Sequence, residues 1–180
     1  MSEILPQWNC EKNGNHAAKP TFLQSCHNGD PMLYFATYPS PFGPVQIGYE
    51  DDAIVYIQCR CDAQKPNRPS CLSDLAHGQL LEYFAGNRKV FDFPIRLTGT
   101  NFQNKVWLAL AEIPYGQTRT YGEIAAAIGN RNASRAVGMA CNRNPLWIVI
   151  PCHRVVGKGK NLTGYAGGIA MKQALLKLET

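Results

Sequence analysis

Cys152-His153-Arg154, entered through Pro151, is the stretch of this chain best suited to covalent chemistry. The thiolate is the nucleophilic form of cysteine, and neighbouring cationic side chains favour it. Pro151 fixes its own φ and turns Ile150 away from helix, so the thiol sits where the chain leaves the apolar run Trp147–Ile150. That run reads as a buried strand or extended segment. Adjacent side chains point to opposite sides of a strand, or ~100° apart on a helix. His153 therefore reaches the sulfur through a bridging water. A histidine acting as base needs an acceptor to orient it, and Glu179 is the only acidic residue after Glu123. The residues alone leave a blander reading open, in which the cysteine is inert packing and Glu179 an ordinary exposed terminal residue. A papain-like hydrolase takes its histidine from far along the chain, so the adjacent pair is a poor match to that class.

These residues need elements to position them. Met32–Tyr38, Val45–Tyr49 and Ala53–Gln58 are β-branched and aromatic runs separated by turn material, Pro39–Pro44 and Glu50–Asp52, and predict a small antiparallel sheet. Leu72, Leu75, Ala76, Leu80, Leu81 and Phe84 recur at helical spacing, and Gly86 ends that helix. Residues 1–30 read as a loop or mobile arm, Cys61–Ser70 as a loop and Phe91–Gly99 as a linker between halves. The second half reads as helices. Thr100-Asn-Phe-Gln103 and Thr120-Tyr-Gly-Glu123 are capping boxes, and Asn132 is positioned to cap a further helix with Ala133, Ala136, Val137 and Ala140 on one face. A terminal helix is expected over Ile169–Glu179. Two short helices joined by a tight Gly-containing turn form a helix-turn-helix pattern, with Arg135 in the first turn of the second helix. The same pattern also fits a small-residue helix packed into its own core with exposed arginines.

The composition bounds the function. The chain has 180 residues, 45% of them apolar and 17% charged, which is ordinary for a globular protein. It shows no apolar run of membrane-spanning length and no secretory leader at its start, so a reducing cytoplasm is expected, or a nucleus in a eukaryote. Charge is uneven: residues 1–100 hold 8 Lys and Arg against 10 Asp and Glu, whereas residues 101–180 hold 10 against 3. A basic second half suits a polyanionic partner, and equally a solvated basic surface. Seven cysteines without a C-x-x-C pair exclude a full disulfide framework. Neither Cys10, Cys26 and His27 nor Cys59, Cys61 and Cys71 shows a standard zinc spacing, so no metal is expected.

Ile150-Pro-Cys-His-Arg-Val-Val156 resembles the active-site motif of the O6-alkylguanine-DNA alkyltransferases. The resemblance continues through Phe102-Gln-x-x-Val-Trp107, Ile113-Pro-Tyr-Gly116, Thr120-Tyr-Gly122, Ser134-Arg-Ala-Val-Gly138, Asn144-Pro145, Gly164-Tyr-Ala-Gly-Gly168 and Glu179, about 80 residues in order. It implies an α/β protein: a ribonuclease H-like N-terminal domain over 1–92, with an antiparallel sheet plus helix, then a mostly helical DNA-binding and alkyltransferase domain over 93–180. It further implies a single-turnover DNA repair reaction. O6-alkylguanine, and O4-alkylthymine with it, is flipped out of the duplex through the minor groove, and its alkyl group passes irreversibly to Cys152. His153 with a water would take the thiol proton, Glu179 would hold His153, and Asn144 would brace the preceding turn. Tyr121 would donate to the guanine ring nitrogen N3. Arg135 would fill the space left by the base, with Ala133, Ser134 and Gly138 lying along the DNA. Tyr165, Ala166, Val155 and Trp147 would wall the pocket, and backbone groups of Cys152, Val155 and Ala166 would read the guanine edge. The implied partner is double-stranded DNA, bound by a monomer without cofactor, membrane or protein partner.

Some departures from the family pattern bear on the site. Asp92 stands where some members have a zinc-binding histidine, Ala166 where some have a pocket serine, and Trp147 where some have a second proline. Two rival classes remain. A lesion-binding relative that does not repair would lack the thiol, which is present here. A cysteine hydrolase would use Cys152, His153 and Glu179 but leave Arg135 and Tyr121 without roles.

Overall fold

The computed structural model describes residues 21–23, 32–59 and 65–180. Strands β1 (Tyr34–Tyr38), β2 (Val45–Tyr49) and β3 (Ile54–Gln58) form an antiparallel sheet in that order. The expected strand runs are therefore found almost residue for residue. Helix α1 (Cys71–Phe84) packs on β2 and β3. Ser70 caps its start by accepting from the Ser73 amide, and Gly86 lies just past its end at φ +76°. Ala36, Val45, Ile47, Ile57, Leu80 and Tyr83 are fully buried between sheet and helix.

The stretch expected to be a linker is instead part of this core. Phe93 and Ile95 are fully buried, Ile54 N–H donates to the Pro94 carbonyl at 2.9 Å, and Arg96 N–H donates to the Ile54 carbonyl at 3.0 Å. Thr21–Leu23, expected to be loop, exchange backbone hydrogen bonds with Ile95. Alternating Phe91, Phe93 and Ile95 gives this segment a strand-like apolar face, which pulls it onto the sheet edge. The sheet also supports the approach to Cys152. Ile57 N–H donates to Pro145 O at 2.8 Å and Trp147 N–H to Ile57 O at 3.0 Å, so β3 backs the residues that lead into Cys152.

The second half holds helices α2 (Asn101–Ala111), α3 (Tyr121–Ala127), α4 (Ser134–Asn142) and α5 (Ile169–Leu178), with two short parallel strands, β4 (Arg119–Thr120) and β5 (Val155–Val156). Both expected capping boxes are formed, at Thr100/Gln103 and Thr120/Glu123, each contributing on the order of 1 kcal/mol. The third cap is not. Ala133 occupies the N-cap of α4 and makes no side-chain cap bond, so Asn132 lies one residue too early. Packing against α2 and α3 through Val137, Ala140 and Cys141 holds α4 instead, consistent with tertiary burial outweighing local propensity. Trp107 ties α2 to α4 through its indole N–H, which donates to Ala140 O at 2.9 Å. The buried side chains of both halves form one continuous apolar cluster. Among the described residues no helix is long and apolar enough to cross a membrane.

Candidate active site

Trp147–Ile150 is buried, as expected, but it is not a strand. It folds into a tight turn in which Ile150 N–H donates to Leu146 O at 2.9 Å, with Ile148 at φ +74°. An isoleucine is strained there. The polar scaffold that holds the turn is Asn144, which is completely buried. Its side-chain oxygen accepts from Leu146 N–H at 3.0 Å, and its Nδ2 donates to Ile150 O at 2.8 Å and to the Cys152 Sγ at 3.2 Å. One amide thus fixes both the turn and the sulfur just after it.

Cys152, His153 and Arg154 form a single 3₁₀ turn after Pro151. Cys152 is 4% exposed and His153 is fully buried. Burial pushes the thiol up to about 11, against the lowering effects of the Asn144 amide and the Lys172 ammonium. The resting sulfur is therefore protonated and needs a base. Burial also lowers His153, more than Glu179 raises it, so the imidazole is neutral and able to accept a proton. Its Nε2 lies 3.0 Å from Glu179 Oε1, which fixes Nε2 as the protonated nitrogen. The other ring nitrogen, Nδ1, is buried without a hydrogen bond among the described residues. It is the free basic face of the ring.

Glu179 is the hub of this arrangement. Tyr83 donates to Oε1 at 2.6 Å, Arg154 donates to both oxygens at 2.8 and 2.9 Å, and Gly116 N–H donates to Oε2 at 3.2 Å. Burial raises this carboxyl, but the bonds from His153 and Arg154 outweigh it and hold it at about 2. Gly116 is needed here. It sits at φ +73°, and a Cβ would lie 2.8 Å from the Glu179 carbonyl oxygen. Arg154, expected to lend positive charge to the thiol, is turned instead toward Glu179 and the Ile113 carbonyl, the latter at 2.6 Å. Two positions not anticipated as site residues complete the centre. Tyr83 arrives from α1. The fully buried Lys172 on α5 donates to Val155 O at 2.5 Å and Thr163 O at 3.0 Å, tethering the chain on either side of residues 157–162.

A second set of expected residues lines a cleft of about 590 Å³: Tyr121, Ser134, Arg135 and Gly138, with Thr120 and Lys158. Arg135 is exposed on α4, and the ring of half-buried Tyr121 lies along Gly138. The Tyr121 hydroxyl is 3.5 Å from Thr163 O, a long contact that leaves it free to find a better acceptor. Ala133 is buried at the start of α4 and presents little surface. Cys152 does not line this cleft. Trp147 and Val155 are buried in the apolar core that includes Cys152, Tyr165 and Ala166 are half-buried against that core, and the Trp147 and Tyr165 rings pack with centroids 5.7 Å apart. Of the backbone groups of Cys152, Val155 and Ala166 expected to read a guanine edge, the carbonyls of Cys152 and Val155 already accept from Val155 N–H and Lys172. Each keeps a second lone pair.

Of the zinc candidates, Cys10, Cys26, His27 and Cys61 lie outside the described residues, and Cys59 and Cys71 are free thiols. Asp92 is held by Gln79 and Arg88. Among the described residues no three His, Cys, Asp or Glu side chains gather as a metal site.

Comparison with known proteins matches the chain to two family domains. Residues 33–97 match the ribonuclease-like domain of 6-O-methylguanine DNA methyltransferase, and residues 101–180 match its DNA binding domain. A methylated-DNA--protein-cysteine methyltransferase of Methanosarcina acetivorans is 48% identical over 153 residues, covering 82% of this chain and 98% of its own. Its counterpart in Mycobacterium bovis is 45% identical over 82% of this chain and 93% of its own. The Mycobacterium tuberculosis OGT in complex with DNA superposes with a TM-score of 0.76 at 44% identity, covering 81% of this chain and 92% of that one.

Proposed function

The chain belongs to the 6-O-methylguanine DNA methyltransferase family, and from that premise we propose that it repairs O6-alkylguanine in double-stranded DNA by moving the alkyl group to its own Cys152. The observation that carries this reading is a buried, neutral thiol braced by Asn144 at 3.2 Å, with a neutral His153 beside it held by Glu179 at 3.0 Å. The thiol proton passes through a water to His153 Nδ1. The sulfur attacks the alkyl carbon, the S–C bond forms, and the C–O6 bond breaks with its electron pair moving onto guanine. The base leaves as neutral guanine once it takes up one proton. The thioether is a poor alkyl donor, since giving up the group would expel the Cys152 thiolate, so the protein acts once.

In this reading the chain divides near residue 93, with the basic second half on the DNA. A base stacked in duplex hides its O6 substituent from a buried thiol, so it must be swung out, at a cost of a few kcal/mol in lost stacking. The cleft bearing Tyr121 and Arg135 faces the minor groove. Arg135 enters the stack in place of the base, its planar cation suiting both stacking and phosphate contact. Ala133, Ser134 and Gly138 let the helix lie close to the backbone, and the Tyr121 hydroxyl leaves Thr163 to donate to N3 as charge builds on the leaving guanine. Trp147, Val155, Tyr165 and Ala166 wall the base, and O4-alkylthymine is a second substrate. The protein works as a monomer in the compartment that holds the DNA, cytoplasm or nucleus, where the thiol stays reduced. The retained thiol and the methyltransferase names of the relatives set aside a role confined to lesion binding.

The decisive measurement is transfer from a duplex carrying one O6-methylguanine. We expect one methyl group per protein molecule, located on the peptide containing Cys152, and none with Cys152→Ala. Methylation at another residue, or turnover beyond one equivalent, would overturn the assignment.

A further inference from the structure

Tyr83 brings a hydroxyl to the reaction centre from α1, in the first half of the chain, 96 residues before Glu179. The side chain is fully buried. It donates to Glu179 Oε1 at 2.6 Å, and its oxygen is 3.4 Å from His153 Nε2. No step of the alkyl transfer uses it directly. We propose that Tyr83 is a positioning residue through which the N-terminal half decides which atom of the His153–Glu179 pair carries the proton. The inference rests on the alkyl-transfer reading.

Glu179 Oε1 accepts from Tyr83, His153 and Arg154 at once. A carboxylate oxygen that already receives two strong donors has little basicity left for a third proton. The Nε2 proton then stays on His153, and Nδ1 remains the acceptor that deprotonation of the thiol requires. The same sharing dilutes the negative charge that His153 sees and so adds to the effect of burial, which leaves the ring neutral. Burial, then the charge of Glu179, push the Tyr83 phenol far above its ordinary value, so it is always a donor here. Packing is an insufficient account of the hydroxyl. The ring packs edge-on or tilted among Phe84, Phe91 and Tyr115 with centroids 5.6 to 6.2 Å apart, contacts a phenylalanine would keep.

The charged and titratable groups facing this pair are few. Arg154 and His153 come from the 3₁₀ turn, Lys172 and Glu179 from the C-terminal segment, and Tyr115 from the loop after α2, with Lys89 5.3 Å above its ring. Tyr115 provides the control. Its hydroxyl donates at 2.9 Å to the carbonyl of Leu178, adjacent to Glu179, and so braces the backbone without touching the carboxylate.

The test is the pH profile of methyl transfer from O6-methylguanine duplex for the wild type, Tyr83→Phe and Tyr115→Phe. In Tyr83→Phe the undiluted Glu179 charge makes His153 more basic, and the acid limb moves up by about half a pH unit. Tyr115→Phe lowers the melting temperature and leaves the limb in place. Superimposable profiles for wild type and Tyr83→Phe, or equal shifts in both variants, overturn the proposal. Should Tyr83→Phe fail to fold, 3-fluorotyrosine at position 83, a stronger donor, must move the limb down instead, and an unmoved limb again overturns it. NMR titration of the His153 ring tracks the same shift without any substrate. A wild type that transfers nothing therefore defeats the alkyl-transfer reading, while the His153 titration still decides the role of Tyr83.

Discussion

The side-chain amide of Asn144 donates to the sulfur of Cys152 at 3.2 Å while also holding the Ile150 carbonyl at 2.8 Å. The sulfur proposed as nucleophile and the turn that presents it therefore share one brace. Asn144→Ala leaves the Leu146 amide buried without its partner and the Ile150 carbonyl with the Cys152 N–H alone. Each unsatisfied buried group costs about 1–3 kcal/mol, and the loss of the amide removes one of the interactions that lower the thiol. We expect a variant that is less stable by about 2–4 kcal/mol in urea unfolding and slower in methyl transfer by at least about tenfold. A transfer rate equal to that of the wild type would separate the brace from the chemistry.

Acidification should weaken the fold in a defined window. Glu179 is held at about 2 in the folded chain, below the ~4.3 of an unfolded glutamate. Its contribution is complete above the unfolded value and is lost as pH falls from about 4.5 towards 2, worth roughly 3 kcal/mol. His153 acts in the same direction. Its folded value is lowered, so protonation favours the unfolded chain once pH drops below ~6.5. Glu179→Gln removes the first effect and leaves Arg154 buried without its carboxylate. Urea unfolding at pH 7 and pH 3 should show a large loss for the variant at pH 7 and a difference from the wild type less than about half as large at pH 3. An equal difference at both pH values contradicts the assignment of Glu179 as the titrating group.

Local features are legible in the sequence and long-range ones are not. The capping boxes at Thr100 and Thr120 involve residues three apart, and the β-branched and aromatic runs within residues 34–58, bounded by turn residues, mark the strands. Glu179 can be singled out because acidic residues are so scarce after Glu123. Tyr83 cannot, because nothing in a helix pattern tells a core tyrosine from one that bonds a carboxylate 96 residues on. Lys172 reads as an ordinary helix lysine, and its burial depends on two carbonyls, at Val155 and Thr163, that the sequence does not bring together. Trp147–Ile150 reads as extended because apolar runs look alike. The turn is imposed by the Asn144 side chain, whose polar bonds leave no periodic trace.

Arg135 is exposed at the mouth of the cleft that also holds Tyr121. If it replaces a flipped base, its removal should matter only where a base must be flipped. Arg135→Ala is expected to slow transfer from duplex by about a hundredfold, equivalent to about 3 kcal/mol, while reaction with O6-alkylguanine as the free base changes by less than about twofold. Single-turnover rates on both substrates decide the matter, and equal losses would remove the arginine from base extrusion. Duplex affinity should also fall with added salt more steeply for the wild type than for Arg135→Ala, by about one unit of slope.

Gly167 sets the distance between the two aromatic walls. A Cβ built there would lie 2.7 Å from the Met171 sulfur, 2.9 Å from Tyr165 Cε1 and 3.0 Å from Trp147 Cζ3. The methionine can swing aside, but Tyr165 and the 2%-exposed Trp147 are packed on one another and have little room. Gly167→Ala should therefore displace the Tyr165 ring into the space where a substituted base would sit. The penalty must grow with the alkyl group. We expect methyl transfer to slow by a few-fold and benzyl transfer by at least ten times more, since overpacking costs about 1–3 kcal/mol and a larger group has less freedom to relieve it. Competing O6-methylguanine and O6-benzylguanine oligonucleotides for one pool of protein measures the ratio directly. A ratio unchanged from the wild type would place the wall formed by Trp147 and Tyr165 away from the alkyl group.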